Sequence, residues 1–179
     1  MSSRTSGCAI SSDAGFDAQP TLRGELVEVR PLREDDYDGL FAAASDPLIW
    51  DQHPDARWRE DVFRPFFAEH LATGGALAIL DARSGEVIGT TRYHDYDAER
   101  SEVEIGWTFI ARPYWGGAYN GELKRLMLEH AFRSVDTVLF VVAPRNFRSQ
   151  RALEKLGAVR VGTRRDDVRG DRLVFALRR

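Results

Sequence analysis

Apolar and polar side chains alternate along a stretch in the middle of the chain. Between residues 102 and 110, Val103, Ile105, Trp107 and Phe109 are separated by polar residues or glycine. A period of two residues is that of a strand. Six further strands are predicted from apolar runs and alternation, at residues 26–31, 77–81, 87–93, 137–142, 159–162 and 173–177. The run at 137–142 is almost wholly apolar, which is typical of a strand buried on both faces.

Elsewhere the apolar residues recur at the spacing of an amphipathic helix. The clearest case is the segment that contains Val62, Phe63, Phe66, Phe67 and Leu71, whose phenylalanines we expect to lie in the core. The spacing predicts four helices in all, at about residues 37–44, 60–73, 119–134 and 147–156.

The order of these elements predicts one domain of mixed α/β structure. Residues 1–21 are rich in Ser, Gly, Ala and Asp and show no period, so we expect a flexible tail there. Residues 22–179 contain no internal repeat and no linker, and are predicted to form a single domain. Within it, the mostly polar residues 94–100 are predicted to connect two strands.

Composition narrows the classes of function. The 179 residues are 43% hydrophobic, which is enough for one sizeable core. The net charge of −3 gives no electrostatic footprint for nucleic acid. Basic residues do gather at 145–151 and 160–172, where they suit either an anionic ligand or a solvated face. Cys8 is the only cysteine, which excludes an internal disulfide and a thiolate metal cluster.

Metal binding and membrane insertion are also not expected. The four histidines lack the HxH or HExxH spacing of metal ligands, so we predict no metal site. No apolar run reaches the length of a membrane span, and the N-terminus lacks the apolar core of a signal peptide. We therefore expect a cytoplasmic protein that does not bind membranes.

A glycine-bearing turn follows the central strand. Pro113 ends the strand pattern because proline has no N–H to donate. Gly116 and Gly117 let the chain bend sharply, and a predicted helix starts just after them. The unpaired N–H groups at a helix start suit a phosphate. Many strand–turn–helix joints bind nothing, so this pattern alone does not establish a site.

Two segments together resemble a known superfamily. Residues 103–122, VEIGWTFIARPYWGGAYNGE, resemble the strand and acyl-CoA pyrophosphate loop of GCN5-related N-acetyltransferases (GNAT). Residues 146–158, NFRSQRALEKLGA, resemble the second CoA-binding segment of that superfamily. The resemblance covers about residues 22–178 and is greatest to the RimJ/RimL-like branch, which acetylates the N-termini of ribosomal proteins. It implies a strongly twisted mixed sheet of about seven strands flanked by about four helices.

The resemblance also implies an acetyl-CoA-dependent N-acetyltransferase that uses direct attack in a ternary complex. The pantetheine arm would pair with the central strand, and the loop amides would take the pyrophosphate. The residues implied to bind the cofactor are Trp107, Thr108, Phe109, Ile110, Arg112, Gly116, Gly117, Ala118, Tyr119, Asn120, Asn146, Ser149 and Arg151. Arg148 could also reach the phosphates. The loop departs from the family pattern Q/R-x-x-G-x-G/A, since Ala118 and Asn120 stand where the family has a glycine and a small residue.

The resemblance implies two catalytic residues. Glu104 is the candidate base, and its alternative is a solvated strand carboxylate paired with an arginine such as Arg92. Ser149 is the candidate acid or thiolate hydrogen-bond donor, and its alternative is a helix-capping residue. The tyrosine acid of many family members is absent, because Leu153 occupies its position. A covalent acetyl-enzyme is not expected, since Cys8 lies in the predicted tail.

The acceptor amine is expected at the irregular loop over residues 45–58 and the strand facing it. Carboxylates and aromatic faces suit a cationic amine, although each such residue alone is as readily explained by packing. The candidates are Trp50, Asp51, His53, Trp58, Tyr93, His94, Asp95 and Glu102. Two alternatives stay open: an acyl-CoA-binding module without catalysis and, more weakly, a nucleotide-binding domain, which would lack the P-loop lysine. The C-terminal hairpin offers an edge for homodimer pairing.

Overall fold

A computed structural model of the chain describes residues 15–179, which form one eight-stranded sheet and four α-helices. The strands are β1 (Leu22–Arg23), β2 (Val27–Pro31), β3 (Ala76–Asp81), β4 (Val87–Asp97), β5 (Glu102–Ile110), β6 (Thr137–Val142), β7 (Val159–Asp166) and β8 (Gly170–Arg178). The helices are α1 (Tyr37–Ala44), α2 (Glu60–Ala72), α3 (Ala118–Ala131) and α4 (Phe147–Lys155). The predicted α/β class is confirmed, and the two-residue strand β1 accounts for the eighth strand. No helix between residues 15 and 179 has the length and apolar character needed to cross a membrane.

The sheet has the strand order β1-β2-β3-β4-β5-β6-β8-β7, and its single parallel contact lies between β5 and β6. That parallel ladder is short: Glu102 pairs with Thr137, Val103 with Val138, and Glu104 with Leu139. Beyond Glu104 the two strands separate, as expected for the resembled fold. The second half of β5 therefore presents unpaired backbone groups towards β6.

A β-bulge in β5 changes the direction of its side chains. Thr90 pairs with Phe109 but Arg92 pairs with Gly106, so β5 contains one residue more than β4 in this interval. Trp107 has a φ of 56°, a left-handed conformation that is uncommon for a non-glycine residue. Because of the extra residue, Thr108 faces α3 while Trp107 and Phe109 face α2.

Two hydrophobic cores lie on opposite faces of the sheet. The core under α3 includes Val29, Ile79, Ile105, Leu123, Met127, Val138, Phe140 and Phe175. The core under α1 and α2 includes Leu40, Trp50, Phe63, Phe66, Phe67, Ala78 and Phe109. The phenylalanines of α2 are core residues, as predicted, and full burial of one such side chain contributes about 2–3 kcal/mol. Both cores border β5, so packing from both sides fixes that strand.

Glu122 ties the start of β2 to α3. Its carboxylate accepts backbone N–H groups from Glu25, Leu26 and Val27 at 2.7–3.0 Å. Burial alone would raise the pKa of Glu122, but these donors and Arg125 outweigh burial and lower the pKa. The carboxylate therefore holds the N-terminal strand of the domain in place as a charged acceptor.

Residues 15–21, the described part of the predicted tail, pack on the domain. Phe16 stacks on Tyr96 with ring centroids 5.4 Å apart and meets the edge of Tyr93 at 5.0 Å. The Nε2 atom of His130 donates to the carbonyl oxygen of Asp17 at 2.7 Å. Residues 1–14, which include Cys8, lie outside the described residues. The domain limits of 1–21 and 22–179 stay a prediction.

The structure corrects two predicted boundaries. Strand β4 continues through residues 94–97, where a connection was predicted, because pairing with β5 outweighs the low strand propensity of these polar residues. The C-terminal hairpin is longer than predicted, with β7 reaching residue 166. Strand β7 forms an edge of the sheet, and Val159 and Val161 on it are 65% and 53% exposed. Whether this edge pairs with a second copy stays a prediction.

Candidate active site

A cleft of about 2000 Å³ opens where β5 and β6 separate. It is bordered by β4, β5, the N-terminal ends of α3 and α4, the β7–β8 hairpin and the loop before α2. Of the predicted site residues, those that line the cleft are Trp50, His53, Tyr93, His94, Asp95, Glu104, Trp107, Thr108, Phe109, Ile110, Gly116, Gly117, Asn120, Asn146, Arg148, Ser149 and Arg151. Those that do not line it are Asp51, Trp58, Glu102, Arg112, Ala118 and Tyr119.

The glycine turn forms one end of the cleft. Gly116 and Gly117 have φ angles of 114° and 108°, which favour glycine, and α3 begins directly after them. Within residues 15–179, the N–H groups of residues 118–120 have no acceptor, whereas the N–H of Gly121 already bonds to the carbonyl of Gly117. The backbone of Ala118, Tyr119 and Asn120 therefore offers donors to an anion at the positive end of α3. Ala118, which stands where the family pattern has a glycine, therefore leaves these backbone donors available.

Two cofactor candidates near this turn are engaged elsewhere. The Tyr119 hydroxyl donates to Asp81 at 3.1 Å, so only the backbone of Tyr119 is available to the turn. The Arg112 side chain forms an ion pair with Asp46 and lies outside the cleft. The carboxylate of Asp46 holds the Arg112 guanidinium, and the phosphate contact from Arg112 stays a prediction.

The start of α4 borders the opposite wall. Asn146 caps the helix, with its Oδ1 accepting the N–H of Ser149 at 3.1 Å. Ser149 lies in the first turn and faces the cleft. Arg148 is held by Asp51 at 2.8 Å and lies over the ring of Trp115 at 4.2 Å. Arg151 lines the cleft one turn later. The start of the helix therefore presents one hydroxyl and two arginines to the cleft, of which Arg148 is already paired with Asp51.

Glu104 is the buried carboxylate of the site. Its side chain is 6% exposed, and Oε2 accepts a hydrogen bond from Arg164 on β7 at 2.9 Å. Burial raises the pKa of Glu104 above its ordinary value, although His94 and Arg164 oppose the shift. The charged partner is thus Arg164 and not Arg92, which sequence alone suggested. A raised pKa is expected for a carboxyl group that accepts a proton near neutral pH.

His94 lies between Glu104 and Asp95. Its Nδ1 is 3.0 Å from Asp95 Oδ2, and its Nε2 is 3.4 Å from Glu104 Oε1 without hydrogen-bond geometry. A Cβ on Gly106 would lie only 2.8 Å from His94 Nε2, which explains the glycine at that position. Ligand atoms of these three side chains lie within 4.8 Å of one another and could hold a metal ion, although Arg164 already supplies positive charge to Glu104.

The predicted acceptor loop supplies mostly packing. Trp50 is 6% exposed and donates its Nε1–H to the carbonyl of Ala44 at 2.8 Å. Burial lowers the pKa of His53 to about 4, so this ring is neutral at physiological pH. Tyr93 is 1% exposed, and its hydroxyl donates to the carbonyl of Met127. Trp58 and Glu102 lie outside the cleft, the latter beside Arg100.

The cleft contains cations that the sequence did not assign to the site, although Arg92 was named as an alternative partner of Glu104. Arg57 and Arg92 are 4% and 9% exposed. Lys124 of α3 is 6% exposed, and its Nζ donates to the hydroxyl of Thr108 at 2.9 Å. Burial lowers the pKa of Lys124 to about 7. The basic run at 160–172 was the one sequence signal, since it contributes Arg164 and Arg169 to the cleft wall.

Comparison with known proteins shows which family the fold belongs to. The family described as an acetyltransferase (GNAT) domain matches residues 27–159. A structure from T. thermophilus, described as a proposed acetyltransferase, is 31% identical over 88% of each chain, with a TM-score of 0.73. A GCN5-related N-acetyltransferase from Brucella melitensis is 20% identical, with a TM-score of 0.80 over 89% of this chain and 79% of that one.

The RimJ protein of Mycobacterium smegmatis, in complex with CoA-disulfide, is 20% identical, with a TM-score of 0.64 over 89% of this chain and 86% of that one. At this identity the likeness extends to the fold alone. No curated protein matches the chain in sequence. The predicted GNAT fold is confirmed.

Proposed function

The chain belongs to the acetyltransferase (GNAT) family, and from that premise we propose that it transfers an acetyl group from acetyl-CoA to a primary amine by direct attack in a ternary complex. One observation carries the proposal. A carboxylate with a raised pKa, Glu104, lies in the cleft at the point where the last paired residues of β5 and β6 give way to unpaired backbone.

The donor half of the cleft suits acetyl-CoA. The unpaired edge of β5 over residues 107–110 would pair with the amides of the pantetheine arm as an added strand. The N–H groups of residues 118–120 would receive the pyrophosphate at the start of α3. Arg151 adds positive charge on the α4 side. A related fold that binds a CoA derivative, in the M. smegmatis protein, supports this placement.

The chemistry assigned to each residue follows from its position. Glu104, directly or through a water, takes the proton that the amine must lose as its nitrogen bonds to the acetyl carbon. Backbone N–H groups of β5 beside the bulge would stabilise the oxyanion of the tetrahedral intermediate. The carbon–sulfur bond then breaks, and Ser149 would donate a hydrogen bond or a proton to the leaving thiolate. His94, held by Asp95, lies beside Glu104, and the guanidinium of Arg164 balances part of the charge of Glu104.

The acceptor class implied by the RimJ/RimL-like resemblance is a protein N-terminus, and cytoplasmic localisation belongs to the same proposal. The alternative is an acyl-CoA-binding module in which the Glu104–Arg164 pair is purely structural. The two differ in one measurement. Only the enzyme releases thiol from acetyl-CoA in the presence of an amine.

The test compares Glu104→Gln with wild type and with Glu129→Gln, an exposed glutamate on the far side of α3. Thiol release would be measured across peptides, polyamines and amino acids, and acetyl-CoA binding by calorimetry. We expect Glu104→Gln to lower kcat by about 100-fold or more while the Kd for acetyl-CoA stays unchanged. Glu129→Gln should match wild type.

Each other result has a definite meaning. Full activity in Glu104→Gln would remove Glu104 from the mechanism. Acetyl-CoA binding without turnover of any amine would favour the binding module. A wild-type protein that does not bind acetyl-CoA would overturn the proposal.

A further inference from the structure

Three arginines from distant parts of the chain surround one indole ring in the cleft. The guanidinium carbons of Arg57, Arg92 and Arg169 lie 5.3, 4.5 and 4.4 Å from the ring centroid of Trp107. Arg57 comes from the loop before α2, Arg92 from β4 and Arg169 from the β7–β8 turn. We call these three residues the arginine cluster. All three line the cleft on the α2 face of the sheet.

The cluster has too few carboxylate partners within the described residues. Arg57 pairs with Asp55 at 2.9 Å. Arg92 is more than nine-tenths buried, yet between residues 15 and 179 its side chain has no ion pair, and its Nε has no hydrogen-bond partner. The side chain of Arg169 likewise makes no ion pair there. A buried guanidinium without an acceptor is unfavourable, so the site lacks a negative group.

Electrostatics within the cluster point the same way. Burial is the largest cause that lowers the pKa of Arg92, and the neighbouring charge of Arg169 lowers it further. Glu69, Asp95 and Glu104 raise it only from beyond ion-pair distance. The ring of Trp107 attracts all three cations through its π face but supplies no net charge. Within residues 15–179, Arg92 and Arg169 therefore have no carboxylate at ion-pair distance, whereas Arg57 is paired with Asp55.

We propose that the arginine cluster binds an oxyanion carried by the acceptor itself, so that the substrate is an amine with a carboxylate or phosphate group a few bonds from its nitrogen. This inference rests on the proposed acetyltransferase function. Arg92 pairs with Gly106 and His94 with Glu104, so the backbone positions of Arg92 and of the base lie two residues apart along the sheet and on the same face. Two residues of a strand span about 7 Å, a backbone spacing that suits a small amino acid held by its carboxylate with its amine directed at Glu104.

The inference reverses what the sequence suggested for the acceptor. Carboxylates that hold a cationic amine were expected, whereas arginines outnumber carboxylates here: Arg164 and Arg172 also line the cleft, together with Asp95, Glu104 and Asp166. The planar guanidinium suits bidentate binding of a carboxylate or a phosphate. The cluster is also separate from the glycine turn that would bind the pyrophosphate, because it lies beside the bulge of β5 on the α2 face.

The test uses acceptor pairs that differ only in the anion. Alanine is compared with alaninamide, and phosphoethanolamine with ethanolamine, by thiol release from acetyl-CoA. We expect wild type to favour the anionic member of at least one pair by about 10-fold or more in kcat/KM, and which pair responds separates carboxylate from phosphate. Arg92→Gln should lower kcat/KM for the anionic member by about 100-fold, mainly through KM, and leave the neutral member unchanged.

Two further variants keep the test clear. Arg169→Gln removes a cation at an exposed turn and should weaken the same preference without affecting folding. Arg83→Gln removes an exposed arginine outside the cleft and should change nothing. The Kd for acetyl-CoA should stay constant in all three variants. The inference would be overturned if wild type had the same kcat/KM for both members of each pair. It would also be overturned if Arg92→Gln lowered kcat/KM for both members equally.

A binding measurement separates this inference from the proposed function. N-acetylalanine and N-acetylphosphoethanolamine, which carry the anion but no reactive amine, are titrated into the wild-type protein while tryptophan fluorescence is followed. Binding that Arg92→Gln and Arg169→Gln abolish would support the anion site even if no amine is acetylated. If neither compound binds at millimolar concentration, the anion site is refuted, whatever the enzyme acetylates.

Discussion

Lys124 should make the stability of the fold depend on pH near neutrality. Its ammonium group lies between α3 and the sheet, bonded to Thr108 and 5.7 Å from the ring centroid of Phe140. Within residues 15–179 no carboxylate lies within ion-pair distance of it. Burial therefore lowers the pKa of Lys124 from its ordinary 10.5 to about 7. We predict that Lys124→Met removes this dependence, because methionine fills similar space without a charge.

The size of the change in stability with pH follows from proton linkage. Between about pH 7 and 10.5 the unfolded chain holds a proton that the folded chain has lost, so stability rises with pH in that window. From about pH 6.5 to 9 the free energy of unfolding rises by about 2.5 kcal/mol. Below the folded pKa both states hold the proton, so the full cost of the buried charge is present and stability no longer changes with pH. That is a large share of the roughly 5–15 kcal/mol that stabilises a domain.

The assay is urea unfolding without acetyl-CoA at several pH values across that range, with wild type and Lys124→Met in parallel. Other titrating groups cancel in the difference between the two proteins. We expect the free energy of unfolding of wild type, relative to that of the variant, to increase by about 2.5 kcal/mol as the pH rises. Curves that stay parallel would show that Lys124 keeps its ordinary pKa, and the reasoning from burial would be wrong.

Four other predictions test the site and the residues that support it. Because burial raises the pKa of Glu104, the acid limb of kcat/KM against pH should lie above 4.5 and disappear in Glu104→Gln; a limb at or below 4.5 would contradict the shift. Gly117→Ala should lower stability by about 1–3 kcal/mol and weaken acetyl-CoA binding, because the φ of 108° strains any side chain there while no atom clashes. In contrast, Gly121→Ala within α3 should raise stability by up to about 1 kcal/mol in the same urea assay. Glu122→Gln should lower stability by about 1–3 kcal/mol at neutral pH and by progressively less as the pH falls below 4.5, because the charged carboxylate stabilises the fold above pH 4.5 and loses that effect as the pH falls through its lowered pKa.

Sequence periodicity predicted the elements whose burial is regular. Strand β6 was predicted with its bounds at residues 137 and 142, because a short, β-branched apolar run that stops just before Pro144 favours a strand. The end of β4 was missed because its polar side chains face the cleft and so resemble a loop. The phosphate turn depended on the resemblance, since glycines at a helix start do not alone identify a ligand.

The acceptor side could not be predicted for a different reason. No sequence spacing relates residues 57, 92 and 169, which come from a loop, from β4 and from the β7–β8 turn and meet only around the ring of Trp107 in the folded chain. Likewise, the ion pair of Glu104 with Arg164 joins residues 60 positions apart across two non-consecutive strands. The bulge at Trp107 decides which residues face α2, and a single extra residue leaves no mark on the apolar pattern. Contacts between charged residues that are far apart in the sequence are therefore the feature of the site that could not be predicted.

The short parallel ladder between β5 and β6 has a consequence for cooperativity. The sheet consists of five antiparallel strands on one side and three on the other, joined by three residue pairs and by the core under α3. Such a joint is a natural boundary between units that open separately, and amides of β5 beyond Glu104 should exchange with solvent faster than those before it. A pantetheine arm lying in the gap would join both halves, so the cofactor would also make the two parts of the domain unfold as one.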